Sequence, residues 1–447
     1  MVPADNAVET TGFLVLQGYL FLLVSRLPEF VDAGQKLHLV LISAAVATLF
    51  SGLTLGFMNA LRNPIGISLA MFSAWLVFEL PFSSWKGGSF HALLDTWLKS
   101  YLTYVIVVAL IANLEQLRKA LVCVAAGTAV IVCVALKTGV SDVADDRLYL
   151  GAGTLANSND LATQLLIGLP FLIYVGLDRR RSKVIRALAL LIVPILMYLV
   201  LKTGSRAALI AAAGLAVIFF FRTTAKNRAK IAFIGVLGVI AIPFLLPRAL
   251  LERYSTILTG TNVSAQKSEV ARSAAESGAD RLELIVHSFV LTAEHPLFGV
   301  GLQQFAPSSA DLSIRRGEAP MWHPVHSFLL LVMAETGIPG LIFYSAALFF
   351  CIRALVAASR TSQRRKEPTL AAELSEPLFY SFVGFVTCMF FSPSAYLFHF
   401  PLMAALITSL AQHANEPRVM ESRVPQRPLA PSINLRRRPL PQGQAAQ

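Results

Sequence analysis

Polar residues in this chain are gathered into short links, and the stretches between them are almost wholly apolar. Runs of roughly 17–22 apolar residues recur, each long enough to cross a bilayer as a helix. They predict about twelve spans, near residues 12–27, 37–57, 65–81, 98–113, 117–136, 160–177, 186–202, 206–221, 229–247, 326–356, 377–393 and 396–412. The tenth is long and is expected to break at Gly337–Gly340, where Gly-Ile-Pro-Gly interrupts the run. One long polar segment, Arg248 to Val325, separates the ninth span from the tenth. The expected organisation is therefore 1–247 for spans one to nine, 248–325 for a large loop, 326–413 for spans ten to twelve, and a tail over 414–447. That tail is rich in Pro, Arg and Gln and reads as disordered.

Composition supports an all-α polytopic membrane protein. Of 447 residues, 55% are hydrophobic and 14% charged, which excludes an ordinary soluble domain. A net charge of +12 would suggest nucleic acid in a soluble protein, but here it follows the bias of Lys and Arg toward cytoplasmic links. The link after the sixth span holds Arg179, Arg180, Arg181, Lys183 and Arg186; that after the eighth holds Arg222, Lys226, Arg228 and Lys230. Arg353, Arg360, Arg364, Arg365 and Lys366 follow the tenth, and Arg418, Arg423, Arg427 and Arg436 to Arg438 lie in the tail. All fall on one side of the membrane, so both termini are expected in the cytoplasm and the large loop outside. The link after the fifth span, with Asp142, Asp145 and Asp146 against Arg147, suits the outer side. Cys123, Cys133, Cys351 and Cys388 lie in apolar runs and suggest neither disulfides nor a Cys-based metal site. Met1 to Thr10 carries Asp5 and Glu9 and lacks a basic n-region and cleavage site, so the first span is expected to direct its own insertion.

Two basic residues oppose that charge bias. Lys202 and Arg206 flank the short outer link Thr203-Gly204-Ser205, at the N-terminus of the eighth helix, where backbone N–H groups favour an anion. A phosphate site there competes with plain snorkelling to lipid headgroups. In the loop, Thr259 to Gly278 reads as flexible, and Asp280 as the cap of a helix from Arg281 to Glu294, with Leu282, Ile285, Phe289 and Val290 as its apolar face. Arg281, in the first turn, could grip a diphosphate, with solvation or pairing to Asp280 or Glu283 as the bland alternative. His295-Pro296 ends that helix, and Gly299-Val300-Gly301 makes a tight turn. Arg315 and Arg316 are weaker candidates, and Trp322 reads as an interfacial anchor.

His326 opens the tenth span and could act as a general base at neutral pH, with His323 as a rival. An amphipathic anchor is the bland alternative. Glu335 lies about 13 Å deeper along the helix and is expected to pair with a group on another span. Asn159 and Asp160 open the sixth span, where helix capping competes with contact to sugar hydroxyls. Nothing resembles a nucleotide loop, a dinucleotide fingerprint, a His-Glu-x-x-His metal motif or a nucleophile elbow. No cofactor or metal is implied, and a transfer reaction would need a substrate that brings its own activation.

His326-Ser327, then nine residues, then Gly337-Ile338-Pro339-Gly340 resembles the signature of the O-antigen ligase and polymerase superfamily of bacterial envelope glycosyltransferases. His295 to Gly301, Asn157 to Ala162 and Gly204-Ser205-Arg206 are similar to further landmarks of that family, and the span plan fits nearly the whole chain. Two departures are mild: the family's Arg, three residues, Leu is met by Arg281 and Ile285, and Leu341 stands where ligases often have Thr. The resemblance implies about 12 transmembrane helices with one large periplasmic loop carrying short helices, in the inner membrane. It implies transfer, without a metal, of a glycan from an undecaprenyl diphosphate carrier to a sugar hydroxyl. The acceptor would sit on lipid A-core for a ligase, or on another lipid-linked repeat for a polymerase. His326 would take the acceptor proton; Arg206 and Arg281, with Lys202, would hold the diphosphate. A transporter of lipid-linked glycan or of a small anion is the competing class, but it should place its charges near the midplane, and here only Glu79 and Glu335 approach that.

Overall fold

In the computed structural model of the protein, residues 4–31, 34, 37–141, 146–151, 153–259, 269–364 and 369–414 are described. The expected tail over 414–447 lies, beyond its first residue, outside the described residues. The described residues are helical nearly throughout. Its helices are α1 (Ala4–Ser25), α2 (Leu39–Leu53), α3 (Pro64–Glu79), α4 (Lys86–Leu110, through a π turn), α5 (Leu114–Thr138), α6 (Ser158–Leu177), α7 (Lys183–Lys202) and α8 (Arg206–Arg222). There follow α9 (Ala225–Leu245), α10 (Arg248–Thr259), α11 (Glu269–Glu294), α12 (Phe305–Arg315), α13 (Phe328–Arg364), α14 (Leu370–Met389) and α15 (His399–His413). A short antiparallel hairpin, β1 (Gly139–Ser141) with β2 (Leu148–Leu150), links α5 to α6 and pairs Val140 with Tyr149.

Each expected span falls on a helix. Among the described residues, seven helices are long and apolar enough to cross a membrane: those within Ala7–Ser25, Pro64–Phe82, Lys86–Leu110, Leu114–Thr138, Ser158–Leu177, Lys183–Lys202 and Phe328–Arg360. Helices α2 and α15, at 15 residues each, and α8, at 17, are shorter. The outward faces are apolar as well as the core. On α7, Leu196, Leu199 and Val200 are buried while Val184, Ile185, Leu188 and Leu191 are exposed. A helix apolar on all sides is what a lipid solvent selects.

The span ends are set by polar caps, which satisfy N–H groups that no helix can satisfy itself. Asn63, Asn113, Asn157, Ser182, Ser205 and Thr369 each accept from a first-turn amide of α3, α5, α6, α7, α8 and α14.

Two glycine motifs interlock beneath the loop. At Gly337 (φ 70°, ψ −176°) α13 leaves helical geometry, and Pro339 has no N–H to give. The carbonyls this frees are taken by other elements. Val300 N donates to Ala334 O at 2.9 Å, Gly301 N to Glu335 O at 2.8 Å, and Trp75 Nε1 to Thr336 O at 2.8 Å. In return Ile338 N donates to Pro296 O at 2.9 Å. Gly299 (φ 64°) packs its Cα on the Glu335–Thr336 backbone, and Gly337 packs on the Leu297 carbonyl, leaving no room for a Cβ at either position. Aromatic rings seal the junction: Phe298 stacks on Phe82 at 3.9 Å and on Trp75 at 5.6 Å.

The loop expectation needs two corrections. Residues 269–278, expected to be flexible, are the first turns of α11, and residues 260–268 lie outside the described set. Asp280 therefore caps nothing, and Arg281 sits inside α11 rather than at its start. The run of Ala, Ser and Glu from Glu269 to Gly278 has good helix formers but few apolar anchors, so periodicity gave no sign of it.

Candidate functional site: a basic cluster beside His326

The link between α7 and α8 is the base of the site. A helix C-terminus leaves unpaired carbonyls and a partial negative charge. Side chains from two other elements fill that need. Arg147, immediately before β2, donates from Nε to Thr203 O at 3.0 Å and from Nη2 to Asn159 Oδ1 at 3.2 Å. From α10, Arg253 donates from Nε to Gly204 O at 3.1 Å, and Tyr254 donates its hydroxyl to Leu201 O at 2.8 Å. Gly204 (φ 63°) makes the turn, and the side chains of Arg147 and Arg253 lie against its Cα. Ser205 then caps α8, and Arg206 is its first residue. Two guanidinium groups are thus fixed by backbone carbonyls beside a third at a helix N-terminus.

Arg281 completes the cluster from α11. Burial and the nearby charges of Arg206 and Arg253 push its pKa down to about 10, and its Nε is buried without a hydrogen-bond partner. Several cations gathered in a partly buried space repel one another, and a polyanion relieves that repulsion. A guanidinium suits a diphosphate because its planar fork of donors matches the oxygens two at a time.

His326 lies at the mouth of α13, two residues before the helix begins. Burial, the charge of Arg281 and that of His323 lower its pKa to about 4, against a weaker opposing effect of the Pro324 carbonyl. Its imidazole is therefore neutral across the physiological range, and Nδ1 is buried without a partner. A neutral imidazole beside fixed cations can accept a proton from a hydroxyl.

The structure thus gathers Arg206, Arg281, His326 and, at the rim, the exposed His323. Lys202 is the last residue of α7, half-buried, at the edge of the same link. Asn159 holds Arg147, and Asp160 accepts from Ser394 Oγ at 3.0 Å, so both buttress the site; Asn157 is the residue that caps α6. Other candidates are engaged elsewhere. Arg315 is exposed and pairs with Glu294 at 3.2 Å and Asp311 at 3.3 Å, while the charge of Arg316 bears on His287. Glu335 is buried and accepts from Phe305 N at 3.1 Å, which ties α13 to α12, and it also meets the Tyr396 hydroxyl at the start of the expected twelfth span.

Arg147 and Arg253 were missed by sequence reasoning. Both stand in links assigned to the outer side, against the charge bias, and the criterion that singled out Lys202 and Arg206 would have found them. Arg147 stands among Asp142, Asp145 and Asp146, and Arg253 lies near the start of the long polar segment, so neither stands out as an isolated charge.

Residues 189–345 match the family model Wzy_C, described as O-antigen ligase. The match runs from α7 through the break in α13 and includes Lys202, Arg206, Arg253, Arg281, His323, His326 and Glu335. This segment is therefore similar to the O-antigen ligase family. No curated protein matches the chain.

Proposed function

We propose, from the O-antigen ligase family that residues 189–345 match, that this protein transfers a glycan from an undecaprenyl diphosphate carrier to a sugar hydroxyl at the periplasmic face of the inner membrane. The observation that carries the reading is the convergence of Arg206, Arg253 and Arg281 beside a neutral His326. The arginines bind the donor's diphosphate and stabilise the negative charge that grows on it as the anomeric C–O bond breaks. His326 takes the acceptor hydroxyl's proton as that oxygen bonds to the anomeric carbon. Lys202 adds charge at the edge, and Asn159 and Asp160 hold the floor through Arg147 and Ser394. Both substrates arrive in the plane of the bilayer, which supplies proximity without a soluble binding domain. The anomeric diphosphate supplies the driving force, so no nucleotide is needed to activate the sugar.

The preferred acceptor is lipid A-core, making the protein a ligase with both termini in the cytoplasm. The test is reconstitution in lipid with undecaprenyl diphosphate-linked oligosaccharide, with and without lipid A-core. Glycosylated core with release of carrier diphosphate supports the ligase. Growth of the lipid-linked glycan without added core would make the protein a polymerase. Movement of glycan-lipid across sealed vesicles with no carrier release would make it a transporter.

A further inference from the structure

A second cluster joins α11 to the turn after α12 and shares no residue with the basic cluster. Glu283 and His287 are one turn apart on α11, and Glu318 follows α12. One ligand atom from each lies within 4.8 Å of the others. The two carboxylates are exposed, but the His287 ring is fully buried. Its Nδ1 lies 2.8 Å from Ser309 Oγ on α12, which fixes the ring. Its Nε2 is buried with no hydrogen-bond partner and faces Glu283 Oε1 at 3.9 Å. Gly317 (φ 74°) turns the chain so that Glu318 N donates to Ser313 O at 2.9 Å, which brings Glu318 over α11.

In the tautomer whose Nδ1–H donates to Ser309 Oγ, Nε2 turns a lone pair toward two carboxylates, an arrangement that a bound cation makes favourable. The charge of Arg316 also bears on His287. Arg316 is exposed and can turn to solvent. We propose that Glu283, His287 and Glu318 bind a divalent transition metal of the zinc class, tying α11 to the turn after α12.

One imidazole nitrogen and two carboxylate oxygens suit zinc, with water as the fourth ligand, and suit magnesium poorly. Bonds of about 2.0–2.2 Å require the ligands to close by roughly an ångström, which two exposed glutamates can do by rotamer. Ser309 holding the second ring nitrogen is the usual outer support of a metal-bound histidine. Arg281 lies two residues before Glu283, so a filled site fixes the helix that carries it. The ion has no part in the transfer, and its binding stands or falls apart from that reading.

The test uses the full chain in lipid nanodiscs, purified without a histidine tag and stripped by chelator. After exposure to zinc and desalting, elemental analysis should find one equivalent per chain. Cobalt(II) should give visible absorption bands of a four-coordinate site. Glu283→Gln with Glu318→Gln, both exposed changes that leave the fold in place, should abolish retention. Ser309→Ala should weaken zinc binding by about 10–100-fold. Zinc should raise the Tm of the unmutated protein only. The proposal is overturned if the unmutated chain retains no zinc above the buffer blank, or if the double variant retains as much. A Tm raised by mild acid and not by zinc would show that a proton holds the cluster, and would also overturn it.

Discussion

The amide of Gly301 donates to the Glu335 carbonyl at 2.8 Å, across the break that Gly337 and Pro339 impose on α13. That bond joins the turn His295–Gly301 to the helix His326 opens. The two glycine motifs are two halves of one joint, which sets where His326 stands relative to α11 and Arg281.

Replacing Gly337 or Gly299 with Ala puts a Cβ into the facing backbone at a positive φ. Each change should cost at least about 1–3 kcal/mol, and lower Tm and activity together. Gly214, whose Cβ would meet nothing within 4 Å, is the control, and its Ala variant should match or exceed the parent Tm. Thermal unfolding in nanodiscs reads all three.

Trp75→Phe keeps the ring beside Phe298 but removes the donor to the Thr336 carbonyl. Leaving that carbonyl buried and unpaired should cost about 1–3 kcal/mol. The Tm should fall while the apparent affinity for donor is kept, because Trp75 bonds the joint and not the basic cluster.

Arg281→Gln and Arg206→Gln should each lower the rate of transfer by about 10²–10³-fold if they stabilise the leaving diphosphate. Lys at position 281 should recover only part of the loss, since it keeps the charge but not the planar fork. Arg147→Gln should lose both stability and rate, because its guanidinium also closes the α7 terminus. A Tm measured beside each rate separates the two effects.

His326, with a pKa near 4, is already deprotonated at pH 5. The rate of transfer should stay flat from pH 8 to 5, as far as this group governs it, and fall as pH approaches 4. Stability follows the same group. An unfolded imidazole takes a proton near pH 6.5, while the folded one resists to about pH 4. The unfolded state therefore gains protons first, and stability should decline as pH falls from about 6.5 toward 4. His326→Gln should show a shallower decline over that window in paired unfolding curves.

Much of the fold was legible because lipid demands long apolar runs and polar caps. Apolar runs located helices at every expected span, and Asn63, Asn113 and Ser205 end runs where a helix must begin. The break at Gly337 was legible from Gly and Pro together. What it locks against was not, because the partner carbonyls and amides belong to residues some 35 positions apart, and backbone bonding leaves no side-chain signature. The start of α11 was hidden for lack of apolar period. Arg206, Arg281 and His326 were legible as ionisable side chains that a membrane protein places at a cost. Glu335 was legible as a carboxylate in need of a partner off its own helix, but one of its partners is the Phe305 amide, which every residue type carries. Of the two counter-ions of Arg315, Asp311 is one turn away on the same helix and legible in the sequence, while Glu294 comes from α11, whose packing only the fold reveals.

The central claim is that His326 takes the acceptor proton while the arginines hold the donor. It is tested most directly by single-turnover transfer from undecaprenyl diphosphate-linked oligosaccharide to lipid A-core, comparing the unmutated protein with His326→Gln in the same nanodiscs. The expected result is normal donor binding, an unchanged fold by Tm at pH 8, and a transfer rate lower by about 10²–10⁴-fold. A His326→Gln protein that transfers glycan at the parent rate would contradict the claim and leave the base to His323 or to no side chain at all.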